Sequence, residues 1–162
     1  MSETLLREPS QRVSTKARAV WTVGALAQGV VGAGILLVVV LVWQLFAMPW
    51  WGWLAYAIVA LGYVLVMPAF RYQVHRWEST SDAVYTQTGW VTRERRIAPM
   101  SRVQTVELEQ GPVSRLLGLA AVTVTTASAA GPVKVEGLDF PVAERLVDEL
   151  TRRTSAVPGD AT

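Results

Sequence analysis

The sequence predicts a membrane-anchored α+β protein, in which a two-helix transmembrane hairpin precedes a small antiparallel β domain with a C-terminal helix. Three observations lead to this fold class. First, 51% of the 162 residues are hydrophobic and only 17% are charged, which is too apolar for an ordinary soluble domain. Second, charged residues are missing from one long stretch of the chain. Third, much of the second half alternates apolar and polar residues with the period of two that is typical of half-buried strands.

The charge-free stretch runs from Ala19 to Phe70 and contains 52 residues without Asp, Glu, Lys or Arg. A single transmembrane helix needs about 20 apolar residues, so this stretch has room for two. A Met-Pro-Trp-Trp-Gly segment at residues 48–52 marks the turn, because proline lacks a backbone donor and tryptophan favours the bilayer interface. Within the hairpin we expect helix one at about 20–47 and helix two at about 51–70.

The basic residues around the hairpin predict its orientation. Four of them precede helix one, Arg71 and Arg76 follow helix two, and the connection between the helices has none. Under the positive-inside rule, both termini of the chain face the cytoplasm. The apolar run is too long for a secretory signal peptide, so we expect residues 1–19 to be an uncleaved cytoplasmic segment of a multi-pass membrane protein.

Small residues recur in helix one at a spacing of four: Ala25, Gly29 and Ala33. This pattern lets two helix backbones approach closely in lipid. We expect the stripe to pack against helix two of the same chain; the alternative is a homo-oligomer or a partner subunit. The predicted spans contain no Asp, Glu, Lys, Arg or His, which excludes a proton relay or a charge-binding transport site within them.

The domain at 71–153 has the patterns of short strands and of one final helix. Alternation such as Val122-Thr123-Val124-Thr125, interrupted by Gly, Pro and Asp turn signals, predicts antiparallel strands at about 72–78, 83–88, 90–98, 102–110, 120–128 and 132–137. After Asp139, an apolar stripe of helical period predicts an amphipathic helix that ends near Arg153. We expect a small barrel or sandwich with one end plugged by this helix, and a disordered tail at 154–162.

The composition also excludes several functions. The chain has no Cys and one His, which excludes thiol catalysis, disulfides, Cys/His zinc sites and any two-histidine metal centre. A net charge of +2 is not the basic excess that a nucleic-acid-binding protein uses. The motifs of serine hydrolases, P-loop proteins, dinucleotide-binding proteins and zinc proteases are missing from the sequence. We therefore expect no catalytic residues, no cofactor, no metal and no nucleic-acid partner.

Five segments of the second half carry a resemblance to a known family: Tyr72–Glu78, Gly89-Trp90, Arg96–Val106, Gly111–Leu119 and Val122–Ser128. In this order, and with the terminal helix, they resemble the bacterial membrane proteins of YdbS type, in which a two-helix hairpin carries a cytoplasmic pleckstrin-homology (PH)-like domain. The resemblance implies a seven-stranded antiparallel PH-like β-barrel with a capping helix. It also implies a membrane-tethered binding or assembly module, which in small members works beside a larger multi-copy relative, and it implies no reaction.

The densest basic cluster comprises Arg93, Arg95 and Arg96, with Arg102 nearby. Arginine forks bind phosphate, so such a cluster close to the cytoplasmic leaflet can hold an anionic lipid headgroup. We favour the alternative that the cluster is a solvated edge strand, whose charge prevents pairing with other sheets. Similarly, Arg115 lies in a short turn that we interpret as a structural connection rather than a protein-docking surface.

Three other conspicuous side chains have ordinary structural interpretations. The single histidine, His75, is expected to be a polar residue near the membrane interface rather than a pH sensor. Trp77 and Trp90 are expected to be core or interfacial anchors rather than ligand cages.

Taken together, the sequence predicts a non-enzymatic, membrane-tethered PH-like domain that acts as a scaffold or accessory subunit of a membrane protein complex. Its expected partners are membrane lipids and another membrane protein, such as a larger multi-copy PH-like relative. The alternative function is recognition of an anionic lipid headgroup through the arginine cluster.

Overall fold

The computed structural model describes residues 8–43, 48–127 and 131–156. The chain divides into two compact units. Arg18–Phe70 form one, named here the helical unit, and Met1–Ala17 together with Arg71–Thr162 form the other, named the β unit. The helical unit coincides almost completely with the charge-free stretch of the sequence.

Two long helices account for the helical unit: α1 (Ala17–Trp43) and α2 (Trp50–Val74). Both are long and apolar enough to cross a membrane, since the 27 residues of α1 extend over roughly 40 Å at 1.5 Å per residue. Residues 44–47, which the sequence assigns to helix one, lie outside the described residues. The second helix continues four residues past its expected end at Phe70, because the helical hydrogen bonds continue to the amide of His75, which donates to the carbonyl oxygen of Arg71 at 2.9 Å. The strand expected at 72–78 therefore begins only at Arg76.

Within the helical unit, the stripe of small residues includes the point where α1 contacts α2. The hydroxyl of Tyr56 donates a hydrogen bond of 2.5 Å to the carbonyl oxygen of Gly29. A Cβ atom at Gly29 would lie 3.9 Å from the Cβ of Ala60, so the backbone of α1 approaches α2 closely there. Of the other stripe residues, Ala25 is buried and Ala33 is half-buried.

The β unit contains two antiparallel sheets. Sheet A has the strand order β1-β2-β3-β4 and sheet B the order β5-β6-β7. The strands of sheet A are β1 (Gln11–Arg12), β2 (Arg76–Ser79), β3 (Ala83–Gly89) and β4 (Arg93–Pro99). Those of sheet B are β5 (Val103–Glu109), β6 (Leu119–Thr126) and β7 (Val133–Asp139). The helix α3 (Pro112–Leu116) joins β5 to β6, and α4 (Phe140–Ala156) follows β7.

The expected closure of the strands into a barrel is wrong. Sheet A ends at β4 and sheet B begins at β5, and the two strands are not hydrogen-bonded to each other. Between them, Pro99 and the 3-10 turn Met100–Arg102 redirect the chain, and proline supplies no backbone donor for a continuing ladder. The sheets instead pack through contacts of β4 with β6 and β7. The antiparallel strands and the C-terminal helix agree with the prediction.

The segment before α1 takes part in both sheets. Gln11 and Arg12 of β1 lie opposite Trp77 and Arg76 of β2. Two residues later, the amide of Ser14 donates to the carbonyl oxygen of Gly137 at 2.8 Å, which ties the segment to β7. No pattern in the sequence predicts this strand, since two residues are too few to show alternation.

The core of the β unit lies between sheet B and α4. Ala143, Leu146 and Leu150 form the buried face of α4, which contacts all three strands of sheet B. On β7, buried Val133 and Val135 alternate with the more exposed Lys134 and Glu136, as period-two patterning requires. The middle of β6 is buried on both faces, at Val122, Thr123 and Val124. The helix extends three residues beyond its expected end at Arg153, and residues 157–162 of the expected tail lie outside the described residues.

Candidate functional site

A pocket of about 430 Å³ opens in the β unit where β7 approaches β3 and β4. This volume falls in the range of small-ligand sites, roughly 300 to 1,000 Å³. We name it the mixed-charge pocket, because three cations and two carboxylates line it. The lining consists of Arg71, His75, Thr86, Thr88, Gly89, Trp90, Glu94, Arg96, Pro132, Lys134 and Glu136.

The secondary structure explains why these side chains converge. On a strand, residues two apart point to the same face. Three strands each contribute such a pair: Thr86 and Thr88 on β3, Glu94 and Arg96 on β4, and Lys134 and Glu136 on β7. Arg71 in the last turn of α2 and His75 directly after it supply another part of the wall, and Gly89, Trp90 and Pro132 complete the lining. The pocket is therefore built in part by residues at the very end of the second membrane-capable helix.

A hydrogen-bonded network connects this helix end to β7. Nδ1 of His75 lies 2.8 Å from the carbonyl oxygen of Arg71, which can only accept, so Nδ1 carries the proton. Nε2 of His75 then accepts from Nε of Arg71 at 3.4 Å. The guanidinium group of Arg71 also donates from Nη2 to Oε2 of Glu136 at 2.7 Å. The network holds Arg71 in place through two separate contacts.

The protonation state of His75 follows from this environment. The residue is only 2% exposed. Burial lowers the pKa of His75, and the adjacent positive charge of Arg71 lowers it further, while the hydrogen bond to the Arg71 backbone and the charge of Glu136 act in the opposite direction. His75 is therefore neutral at neutral pH and adds no charge to the pocket.

The other two cations of the pocket are also held by carboxylates. Arg96 donates from Nε to Oε1 of Glu94 at 2.7 Å and from Nη1 to the carbonyl oxygen of Pro132 at 3.1 Å. Nζ of Lys134 lies 2.6 Å from Oε2 of Glu109 on β5. This hydrogen bond lowers the pKa of Glu109 and raises the pKa of Lys134. The three cations of the lining exceed its two carboxylates by one positive charge.

The rim of the pocket is formed by the tip of the β3–β4 hairpin. Gly89 has a φ of +117°, and a Cβ atom there would collide with the carbonyl oxygen of Thr92. Only glycine fits this turn. The turn exposes the next two side chains, Trp90 at 42% and Val91 at 74%.

The five arginines that the sequence singled out do not form one site. Arg93 and Arg95 alternate with Arg96 along β4, so they lie on the opposite face of the strand. Of the five, Arg96 lines the pocket. Arg102 lies in the 3-10 turn and Arg115 in α3, and both are exposed.

Arg95 belongs to a different set of contacts. Its Nε donates to Oε1 of Gln87 at 2.9 Å, and its Nη2 lies 3.4 Å from Oε1 of Glu8. Gln87 is buried, and its Nε2 donates to the carbonyl oxygen of Val74 at 3.1 Å. This chain of hydrogen bonds links β4 to the end of α2 and gives Arg95 a structural role.

Sequence reasoning missed Arg71, Lys134 and Glu136 as members of a site. Arg71 entered the argument only as a marker of topology, and the other two only as polar positions in a strand. The available signal was the pairing of charged residues two apart on β4 and β7. Among the described residues, no group of three or more His, Asp or Glu is placed to hold a metal ion.

Comparison with known proteins gives a consistent result. The family model of the bacterial PH domain matches residues 19–154. The UPF0699 transmembrane protein YdbS of Bacillus subtilis (strain 168) is 30% identical over 163 residues, which cover 94% of this chain and 98% of the relative. No solved structure matches the chain significantly.

Proposed function

Since the chain belongs to the bacterial PH domain family, we propose that it is a non-catalytic, membrane-anchored PH domain that holds a phosphodiester lipid headgroup in the mixed-charge pocket. The anchor is the pair α1 and α2, inserted into the bacterial inner membrane as a hairpin with both chain termini in the cytoplasm. The positive-inside rule supports this orientation, because basic residues flank the apolar stretch on both sides and the connection between the helices has none.

The observation that carries the proposal is the position of Arg71. This residue lines the pocket and directly follows Phe70, the last residue of the apolar stretch. Lipid headgroups lie at the level where a spanning helix leaves the hydrocarbon core. A pocket whose wall includes this residue is therefore within reach of a headgroup in the same membrane.

The charges of the pocket favour a ligand with one negative charge. Arginine and lysine near an anionic leaflet each contribute about 1 kcal/mol to the attraction of anionic lipid. The lining itself carries one more cation than carboxylates, and a phosphodiester carries one negative charge, which would replace Glu109 as the partner of Lys134. A headgroup with further phosphates would bring excess negative charge close to Glu94 and Glu136, which opposes its binding.

The test is a lipid titration of the purified full-length protein in detergent, read by native mass spectrometry. The probes are phosphatidylglycerol, phosphatidylcholine and inorganic phosphate. One variant changes the three pocket cations, Arg71, Arg96 and Lys134, to Gln. A matched control changes three exposed arginines that do not line the pocket, Arg102, Arg115 and Arg152, to Gln.

We expect the pocket variant to bind phosphatidylglycerol about tenfold or more weakly, and the control to bind as the wild type does. Equal losses in the two variants would contradict the proposal, since they would show attraction to surface charge in general. Competition by inorganic phosphate at the same concentration as the lipid would identify a free anion, rather than a headgroup, as the ligand.

A second function, that of a scaffold or accessory subunit of a membrane protein complex, is favoured by the edge strand β5. An edge strand offers its backbone groups to a strand of another chain. Glu107 and Glu109 give this edge acidic character, and Leu108 flanks a groove of about 490 Å³ beside α4. The fitting partner is an extended, basic segment of another membrane protein, such as a larger multi-copy PH-like relative.

This second function predicts a specific pattern of co-purification from native membranes. A membrane protein retained by the wild type should be lost from Glu107→Arg, because the substitution replaces one of the two acidic side chains of the edge with a basic one. It should be retained by Asp82→Arg, which reverses an exposed charge in the turn between β2 and β3. Retention by both variants would exclude the β5 edge as the docking surface.

A further inference from the structure

We propose that the tip of the β3–β4 hairpin, residues Trp90 to Thr92, is a membrane-contact surface that inserts Trp90 and Val91 into the headgroup region of the bilayer. This inference goes beyond headgroup binding in the pocket. It assigns a second, apolar point of attachment to the β unit, and it holds whether or not the pocket carries a ligand.

Exposure is the first observation. Trp90 is 42% exposed and Val91 is 74% exposed, although both are large apolar side chains. They are consecutive and lie at the end of a hairpin that projects beyond its paired residues Gly89 and Arg93. The other exposed apolar side chains described in the β unit, Ile97, Leu108 and Leu116, lie singly on β4, β5 and α3. Single exposed apolar residues are common on soluble surfaces, whereas contiguous apolar surface marks sites of contact, and Trp90 and Val91 are contiguous.

Location is the second observation. Gly89 and Trp90 line the same pocket as Arg71, so the base of the tip lies across a single pocket from the end of α2. Arg71 is joined directly to Phe70, where the apolar stretch ends. We therefore assign the bilayer as the occupant, because the tip shares its pocket with the residue that directly follows the apolar stretch.

The residue types at the tip fit this position. Tryptophan concentrates at membrane interfaces, where its ring is shielded and its N–H group finds polar partners. Val91 adds apolar surface, and Arg93, which is exposed, follows at the first paired position. A cation at this level is attracted to lipid phosphates. From Gly89 to Arg93 there is no acidic residue to oppose insertion.

The conformation of the tip is fixed in advance. The positive φ of Gly89 and its close approach to Thr92 permit only a tight turn, so Trp90 and Val91 are held exposed before any membrane contact. A surface that is already ordered loses little conformational entropy on insertion.

The chain contains no cysteine, so a single label can be attached to the full-length protein. The variant Val91→Cys is labelled with a polarity-sensitive fluorophore (NBD). The labelled protein is then reconstituted into vesicles of pure phosphatidylcholine and, separately, into vesicles that also contain phosphatidylglycerol. Leu116→Cys is the matched control, because Leu116 is apolar, 86% exposed and outside the pocket. Both positions are exposed, so both variants are expected to fold. Quenching is measured with aqueous iodide and with nitroxide-labelled lipids.

In both kinds of vesicle, we expect iodide to quench the label at position 91 less than the label at position 116. We expect nitroxide lipids to quench the label at position 91 more than the label at position 116. Equal quenching by iodide at the two positions would overturn the proposal. Protection from iodide without quenching by nitroxide lipids would also overturn it, since a protein would then cover the tip. Because the readout in pure phosphatidylcholine does not depend on an anionic headgroup, failure of the headgroup proposal leaves this result unchanged.

Discussion

Arg71 at the end of α2 and Glu136 on β7 form an ion pair, with Nη2 of the arginine 2.7 Å from Oε2 of the carboxylate. The two side chains are 30% and 35% exposed, so water screens the pair only in part. The contact joins residues 65 positions apart in the sequence and fixes a cation of the pocket at the end of a membrane-capable helix.

Removing Glu136 and removing Arg71 should change the affinity for lipid in opposite directions. Glu136→Gln eliminates a carboxylate from the pocket, so we expect tighter binding of phosphatidylglycerol, whereas Arg71→Gln should weaken it. Both variants should lose a similar, small amount of stability, about 1 kcal/mol or less, because the pair is partly exposed. The measurements are lipid titration and thermal unfolding of the full-length protein in detergent. Weaker binding in both variants would indicate that the pair organises the pocket and that its net charge does not control binding.

The stability of the β unit should depend on pH through His75. Burial, reinforced by Arg71, lowers its pKa below the ordinary value of 6.5, so the unfolded chain takes up this proton at a higher pH than the folded protein does. The stability that comes from neutral His75 is present in full above pH 6.5, and it is lost as the pH falls from 6.5 toward the lowered pKa. We expect the unfolding temperature to decrease between about pH 7 and about pH 5.5.

His75→Gln provides the control for this pH dependence, because glutamine stays uncharged over the same range. Its unfolding temperature should decrease less than that of the wild type over this pH interval. Identical decreases in the two proteins would assign the pH dependence to other groups.

Gly89→Ala should distort the hairpin tip. A side chain at this φ of +117° is strained and would collide with the carbonyl oxygen of Thr92, so we expect a loss of about 1–3 kcal/mol in unfolding free energy. Gly111→Ala is the comparison, because Gly111 has a φ of −69° and no atom within 4 Å of an added Cβ. Thermal unfolding of the two variants in detergent distinguishes them. If Gly89→Ala lost no more stability than Gly111→Ala, the result would show that the turn can rearrange around an added side chain.

The contact of α1 with α2 can be tested by a double-mutant cycle. Tyr56→Phe removes the hydrogen bond to Gly29, which should cost about 0.6 kcal/mol, the average for hydrogen bonds between membrane helices. Gly32→Ala should displace the same hydroxyl, since its Cβ would lie 2.6 Å from it. We therefore expect Gly32→Ala to cost less in the Tyr56→Phe background than in the wild type, as measured by SDS-induced unfolding in mixed micelles.

Gly34→Ala serves as the control for this cycle, because no atom lies within 4 Å of an added Cβ there. It should leave stability nearly unchanged in both backgrounds. Additive effects of Tyr56→Phe and Gly32→Ala would show that the two helices do not meet at this hydroxyl.

The helices and most strands could be predicted from the sequence because their signals are local. The charge-free stretch locates α1 and α2, and the alternation at 122–125 locates the middle of β6, since each signal lies within the element that it predicts. The residues at which the helices and strands begin and end were less predictable. The second helix continues through Arg71 to Val74, although the change from apolar to polar residues suggested that a strand begins at about residue 72. A helix ends where its backbone hydrogen bonds end, and a change in polarity does not mark that point.

The site depended on contacts that no local pattern contains. Arg93, Arg95 and Arg96 are adjacent in sequence and attracted attention as a cluster, yet the alternation of the strand separates Arg96 from the other two. The pocket instead joins Arg71, Arg96 and Glu136, which are far apart in the chain. Sequence proximity is a poor guide to a site in an antiparallel sheet, because strand pairing brings distant segments together.

The amino-acid pattern was enough to predict two membrane-capable helices, an antiparallel β domain and a terminal amphipathic helix. With no Cys and a single His, it also excluded thiol sites and two-histidine metal sites. Composition and periodicity suffice for these features, because hydrophobic burial acts on each segment through its own pattern. Only the tertiary structure decided that the strands form two separate sheets, that the segment before α1 joins both of them, and that Arg71 meets Glu136. These features depend on which strand edges pair and on where Pro99 and the turn after it redirect the chain, and both are set by long-range packing.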